Sequence, residues 1–167
     1  MNKRKINTYF SPTKGELSLT NVMAEIAEFV AERPDLTYTL AIGSDSQVRN
    51  WNGSSITNFV TAIVIHGKGR GGKVFYQKTR SKEKYVLQTR IWEEAMMSLD
   101  AAHRLVEGFS QMLENLAVNL EIHIDVGKKG KTNTMVAEVI GAVRGNGFEP
   151  VIKPYSYASS SVADSYT

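Results

Sequence analysis

Four acidic positions, far apart along the chain, carry most of the chemistry this sequence can do. Asp45 stands in AIGSDSQ and Asp125 in IHIDVG, each directly after a short apolar run. Glu93 and Glu94 stand side by side in RIWEEAMMSL, and Asp164 in SSVAD is the only acid after Glu149. An aspartate at a strand end also serves turns and helix caps, so neither Asp45 nor Asp125 means much alone. As a pair they mean more. Two carboxylates brought within a few ångströms repel one another and rise in pKa unless a cation lies between them. The sequence contains no cysteine, and its three histidines, His66, His103 and His123, are not spaced as a metal pair. Each histidine reads as structural. A metal held here takes oxygen ligands, which points to Mg²⁺ or Mn²⁺ rather than Zn²⁺.

Two glycine motifs compete for attention. Gly67, Gly69 and Gly72 satisfy GxGxxG, but they join two predicted strands, whereas dinucleotide binding requires a strand, a glycine turn and then a helix. The run DVGKKGKT lies between a predicted strand and a predicted helix, as a phosphate loop does. However, Asp125 occupies the place of the first glycine of GxxxxGK[ST], and a carboxylate there repels phosphate. A milder reading survives, in which Lys128, Lys129, Lys131 and the helix start bind a phosphate of a nucleic-acid backbone or a nucleotide. No GxSxG stands in the sequence.

The elements that must position these residues follow from apolar periodicity. Val22, Met23, Ile26, Phe29 and Val30 predict a helix over 20–32, capped by Ser18 or Thr20 and stopped by Pro34. Strands are expected at 36–43, 56–66 and 73–79, the last two joined by GKGRGG as a hairpin. A long helix over 84–107, continuing to about Ala117, precedes a fourth strand at 120–126. A helix over 132–144, a fifth strand at 148–153 and a short helix or frayed tail complete the chain. Three strands in meander followed by alternating helices and strands imply an α/β fold with a mixed sheet and helices on both faces. The 167 residues suit one domain at 18–167, with residues 1–17 loosely ordered. No apolar run approaches the roughly 18 residues of a membrane span, and the expectation is a cytoplasmic protein.

Charge is lopsided. The net charge is +3, yet residues 66–90 alone carry +7 from Lys68, Arg70, Lys73, Lys78, Arg80, Lys82, Lys84 and Arg90 against Glu83. A basic face on an acidic remainder fits a polyanion partner, although a solvated basic hairpin has the same composition. Trp51, Tyr76 and Tyr85 lie near this stretch and can stack on bases.

Taken together, GSDSQV, VTAIVIH, IHIDVG and KPYSYASSSVADSYT resemble the YkuK-like family of ribonuclease H-related nucleases. The resemblance implies a ribonuclease H-like five-stranded mixed sheet, β-β-β-α-β-α-β-α, with an extra N-terminal helix. It matches Asp45, Glu94, Asp125 and Asp164 to the acidic site of that superfamily, with Glu94 aligned in preference to Glu93. It implies a metal-dependent nuclease whose two ions, about 3.5–4 Å apart, activate water and stabilise the leaving oxygen. Asp45 would bridge both ions, Glu94 and Asp125 would hold one, and Asp164 the other. Lys68, Arg70, Lys73, Lys78, Arg80, Lys128, Lys129 and Lys131 would bind the DNA or RNA backbone. The chain departs from bacterial ribonuclease H in lacking the basic handle insertion and any histidine after His123. The alternatives are a catalytically weak or inactive nucleic-acid-binding module of this fold, and phosphate or nucleotide binding through GKKGKT.

Overall fold

The computed structural model describes residues 7–127 and 133–167. Its centre is a mixed sheet in the order β2-β1-β5-β4-β3-β6-β7. The five expected strands are present as β3 (Tyr38–Trp51), β4 (Ser54–Gly67), β5 (Gly71–Ser81), β6 (Asn119–Ile124) and β7 (Glu149–Ile152). The sheet has seven strands rather than five, because residues expected to be loose form a hairpin, β1 (Thr8–Ser11) and β2 (Gly15–Ser18). Tyr9 explains the difference: its side chain is fully buried in the main core, and Phe10 pairs with Tyr76 at the edge of β5. A hairpin anchored by one large aromatic has too few apolar residues to show a period.

Helix α1 (Leu19–Glu32) starts at Ser18, whose side chain accepts a hydrogen bond from the Asn21 N–H. Helix α2 (Leu87–Leu116) is broken at Phe109, whose φ of −141° is not helical. Helix α3 (Asn133–Gly145) joins the parallel strands β6 and β7. All three helices contribute buried apolar side chains to the core on one face of the sheet. The other face is covered by the C-terminal segment, a π-helical turn Ala158–Ala163 followed by a 3-10 turn Asp164–Tyr166. Its Ala158 and Ala163 pack on Ala41, Val60, Ala62 and Val64. Helical cover on both faces is therefore as expected, although the second face has only short turns. No helix of the described residues is long and apolar enough to cross a membrane.

The meander is longer than apolar content predicts. β3 and β4 pair without interruption from Tyr38–Gly67 to Trp51–Ser54. Asp45 thus lies inside a strand, opposite Val60, and not after its end. The reason lies in the neighbours. β6 pairs with β3 only from Thr39 to Gly43, so the later residues of β3 have no apolar requirement on that side and read as a polar loop.

Burial of Tyr9 makes the hairpin testable. Tyr9→Ala is expected to cost about 3–5 kcal/mol in urea unfolding, the usual loss for a large buried aromatic. Tyr9→Phe should be near neutral, because the buried hydroxyl has no hydrogen-bond partner to lose.

Candidate active site

The parallel pairing of β3 with β6 sets the site. Gly43 is registered with His123, and extending that register by two residues sets Asp45 beside Asp125. At Asp125 the chain leaves the sheet through a tight turn, in which the Val126 N–H donates to the Ile124 carbonyl at 2.9 Å. Both carboxylates therefore emerge where β6 ends, the edge at which open α/β sheets place ligands. Asp45, Glu94, Asp125, Arg90 and Lys153 line one recess of about 340 Å³.

Glu94 enters from α2, two turns from its start. It is buried, and its Oε1 accepts a 2.5 Å hydrogen bond from the Ser46 hydroxyl. A relay of buried hydroxyls fixes this stretch of α2 against the sheet. Ser44 Oγ lies 2.9 Å from Thr61 Oγ1 and 2.8 Å from Ser98 Oγ, and Ser98 donates to the Glu94 carbonyl. Of the two adjacent glutamates, Glu94 lines the recess and Glu93 does not.

Burial pushes the Glu94 carboxyl up to about 8, opposed by the Ser46 hydrogen bond and reinforced by the Asp45 charge. Asp45 is pushed up to about 6 by burial, then by the charges of Asp164 and Asp125, with Arg90 pulling the other way. Asp164 is exposed on the C-terminal turn and does not line the recess, so the structure brings three of the four expected acids together; the fourth acts on Asp45 through its charge. Lys153 Nζ lies 2.8 Å from Asp125 Oδ1. The ammonium is not aligned to donate, so that buried oxygen has no hydrogen bond.

The donor set suits a divalent cation. It is all oxygen, and two of its members are raised in pKa by burial first and by neighbouring carboxylates after it. Among the described residues, however, no three Asp, Glu or His side chains stand close enough to hold one ion.

The segment carrying Asp164 is held by β3 and β6. A Cβ on Gly43 would stand 2.5 Å from the Ser159 nitrogen and 2.7 Å from the Ala158 carbonyl carbon, so only glycine admits the turn. His123 supplies the second hold. Its Nδ1 accepts from the Ala158 N–H at 3.1 Å, which fixes the proton on Nε2, facing Glu121 Oε2 at 2.9 Å. Burial lowers its pKa, so the Glu121 contact is a hydrogen bond of a neutral ring. Tyr76 stacks on Tyr166 at 4.0 Å between ring centroids, a third hold.

The expected basic residues divide. Arg70 pairs with Glu32 and also donates to the Phe29 carbonyl, and Lys73 pairs with Glu25 at 2.9 Å, so both tie the β4–β5 hairpin to α1. With Lys68 they lie at the end of the sheet away from Asp45: Lys73 faces Ile65, five residues and about 17 Å along β4 from Val60. Lys78 and Arg80 lie alongside the site, opposite Val60 and Asn58, and are exposed. Lys128, Lys129 and Lys131, with most of the GKKGKT run, lie outside the described residues. Gly67, Gly69 and Gly72 sit in and beside a hairpin turn, as expected. Sequence reasoning missed Ser46 and Lys153, and took Arg90 only as charge. The adjacency of parallel β6 and β7 is the signal that brings Lys153 to the edge occupied by Asp125.

Two outcomes follow from this geometry. Without divalent cations, Glu94 and Asp45 hold protons in the folded chain at pH values where the unfolded chain has lost them. The stability they contribute is therefore full below the unfolded values of 4.5 and 3.8 and is lost as pH climbs through about 6 and about 8. The thermal midpoint in EDTA should fall across that range, and Glu94→Gln should flatten the fall. Gly43→Ala should cost about 1–3 kcal/mol by overpacking, with faster amide exchange concentrated in residues 156–166.

A family model described as Ribonuclease H-like matches residues 21–167. The chain is 28% identical over 169 residues to a Bacillus subtilis (strain 168) protein named "Uncharacterized protein YkuK", covering 95% of this chain and 96% of that one. No solved structure matches. The family match spans the sheet from β3 onward, the acidic recess and the C-terminal turn, and the chain belongs to the ribonuclease H-like family.

Proposed function

We propose that the protein is a Mg²⁺- or Mn²⁺-dependent nuclease that hydrolyses phosphodiesters of DNA or RNA. The observation that carries this reading is the meeting of Asp45, Glu94 and Asp125 in one recess, with the Asp164 charge acting on Asp45. Family membership supports a nucleic-acid substrate. When bound, divalent cations supply Lewis-acid charge to the phosphoryl oxygens and a water acidic enough to attack.

The chain's own residues do the rest. Asp45, Glu94, Asp125 and Asp164 are the acids that would hold the cations. Ser46 keeps Glu94 in one rotamer through its short hydrogen bond. Arg90, whose guanidinium lies 3.5 Å from the Ser46 carbonyl, and Lys153 put two positive groups on the recess wall, where a phosphate and its developing charge would lie. Lys78 and Arg80 offer backbone contacts beside it.

Labelled single-stranded DNA, single-stranded RNA, duplex DNA and hybrid should be incubated with the protein in Mn²⁺, Mg²⁺ or EDTA. At least one substrate should be cut with metal and none with EDTA. Asp45→Asn should lower the rate by on the order of 100-fold or more. Binding without cleavage in either metal would leave an inert module of the same fold, and full activity in Asp45→Asn would remove the site.

A further inference from the structure

We infer that the projecting end of the β3–β4–β5 ribbon, on the side that carries Asp45, is a landing platform for a single nucleic-acid strand, with Trp51 as its base-stacking anchor. The inference rests on the nuclease reading and names the form of substrate which that site receives.

The platform is a product of register. β3 and β4 stay paired to Trp51–Ser54 and are closed by Asn52 and Gly53, with φ of 48° and 75°, the left-handed pair of a tight two-residue hairpin turn. β6 leaves β3 after Gly43, so this end projects as a three-stranded ribbon as far as Thr57 and Ser81, and as the two-stranded β3–β4 hairpin from there to Trp51. Side chains alternate along an unbroken strand, so Gln47, Arg49 and Trp51 share the face of Asp45. Across the ribbon, Asp45 faces Val60 and then Lys78, while Gln47 faces Asn58 and then Arg80. From Asp45 to Trp51 is six residues, about 20 Å of strand.

The chemistry of this face is that of a single-strand groove. Trp51 is 71% exposed, and no other described ring contacts it. The other two aromatics expected to stack are engaged: Tyr76 on Tyr166, and Tyr85 edge-on to Phe59 at 5.4 Å. Lys78 and Arg80 have no carboxylate partner among the described residues, unlike Arg70 and Lys73 at the far end of the sheet. Arg80 lies 3.3 Å from Asn58 Oδ1, and Arg49 donates to Gln47 Oε1 and to the Thr167 main-chain oxygen, so these side chains stand ordered. Cations that follow a phosphate chain, beside an open indole face, suit unpaired bases, because a duplex keeps its base faces stacked inside.

Binding should be measured in EDTA, where no metal-dependent cleavage intervenes, with labelled single-stranded DNA, single-stranded RNA and duplexes of equal length. The expected result is tighter binding of single strands, with quenching of tryptophan fluorescence. Trp51→Ala should weaken single-strand binding about 5- to 150-fold and abolish most of the quenching, while Trp51→Phe retains most of the affinity. Arg80→Ala should reduce the salt slope by about 0.7. Circular dichroism of the variants checks that this exposed turn tolerates the changes. If Trp51→Ala binds single strands as tightly as the native protein, or duplexes bind equally well without regard to Trp51, the platform is wrong. Metal-dependent cleavage, assayed separately, would then still stand or fall on Asp45→Asn. A protein that binds none of the nucleic acids overturns the platform and the nuclease reading together.

Discussion

Parallel pairing of β3 with β6 forces two like charges to the same height of the sheet, and the site depends on that constraint. The pairing ends at Gly43–His123, two residues short of both aspartates, so they emerge together at one end of the sheet, and α2 delivers Glu94 to the same recess with its Oε1 held by Ser46. Three acids gathered in a partly dehydrated recess store electrostatic free energy that a bound cation or a proton releases. The raised proton affinity of Glu94 and Asp45 and the ammonium of Lys153 beside Asp125 provide part of that relief.

The fourth acid is positioned by different means. Asp164 sits on short turns that would fray if left to their own hydrogen bonds, so the sheet has to hold them. It does so through the missing side chain of Gly43, the unprotonated nitrogen of His123 and the stacking of Tyr166 on Tyr76. Gly43 and His123 are registered neighbours on adjacent strands, so the central pairing that aligns Asp45 with Asp125 also anchors the segment that brings Asp164.

Much of this is legible in the sequence. IHIDVG announces an apolar strand ended by an acid, AIGSDSQ shows the apolar half of a strand that in fact runs on past Asp45, and the apolar stripe of α1 gives its limits nearly to the residue. What is hidden is what periodicity cannot carry. The stretch Gln47–Trp51 is strand by pairing but polar by composition, because a ribbon projecting from the core has little to bury. The first hairpin rests on one aromatic, Tyr9. The serines of the last segment read as loop, yet Ser156 and Ser159 are fully buried, their small size being what close approach to β3 demands. Arg70 and Lys73 look like free cations until α1 is placed beside them with Glu25 and Glu32.

The basic outer strand of the meander has a second consequence. β1 meets β5 at the single bridge Phe10–Tyr76, so toward Ser81 the side of β5 turned away from β4 has no strand partner among the described residues. Such a bare margin is a template for another chain to add itself and begin aggregation, and charged side chains are the usual deterrent. Lys78 and Arg80 stand on that margin. Under the nuclease reading proposed above, solubility and polyanion contact fall to the same two side chains, and neutralising them would trade away colloidal stability along with any grip on phosphate.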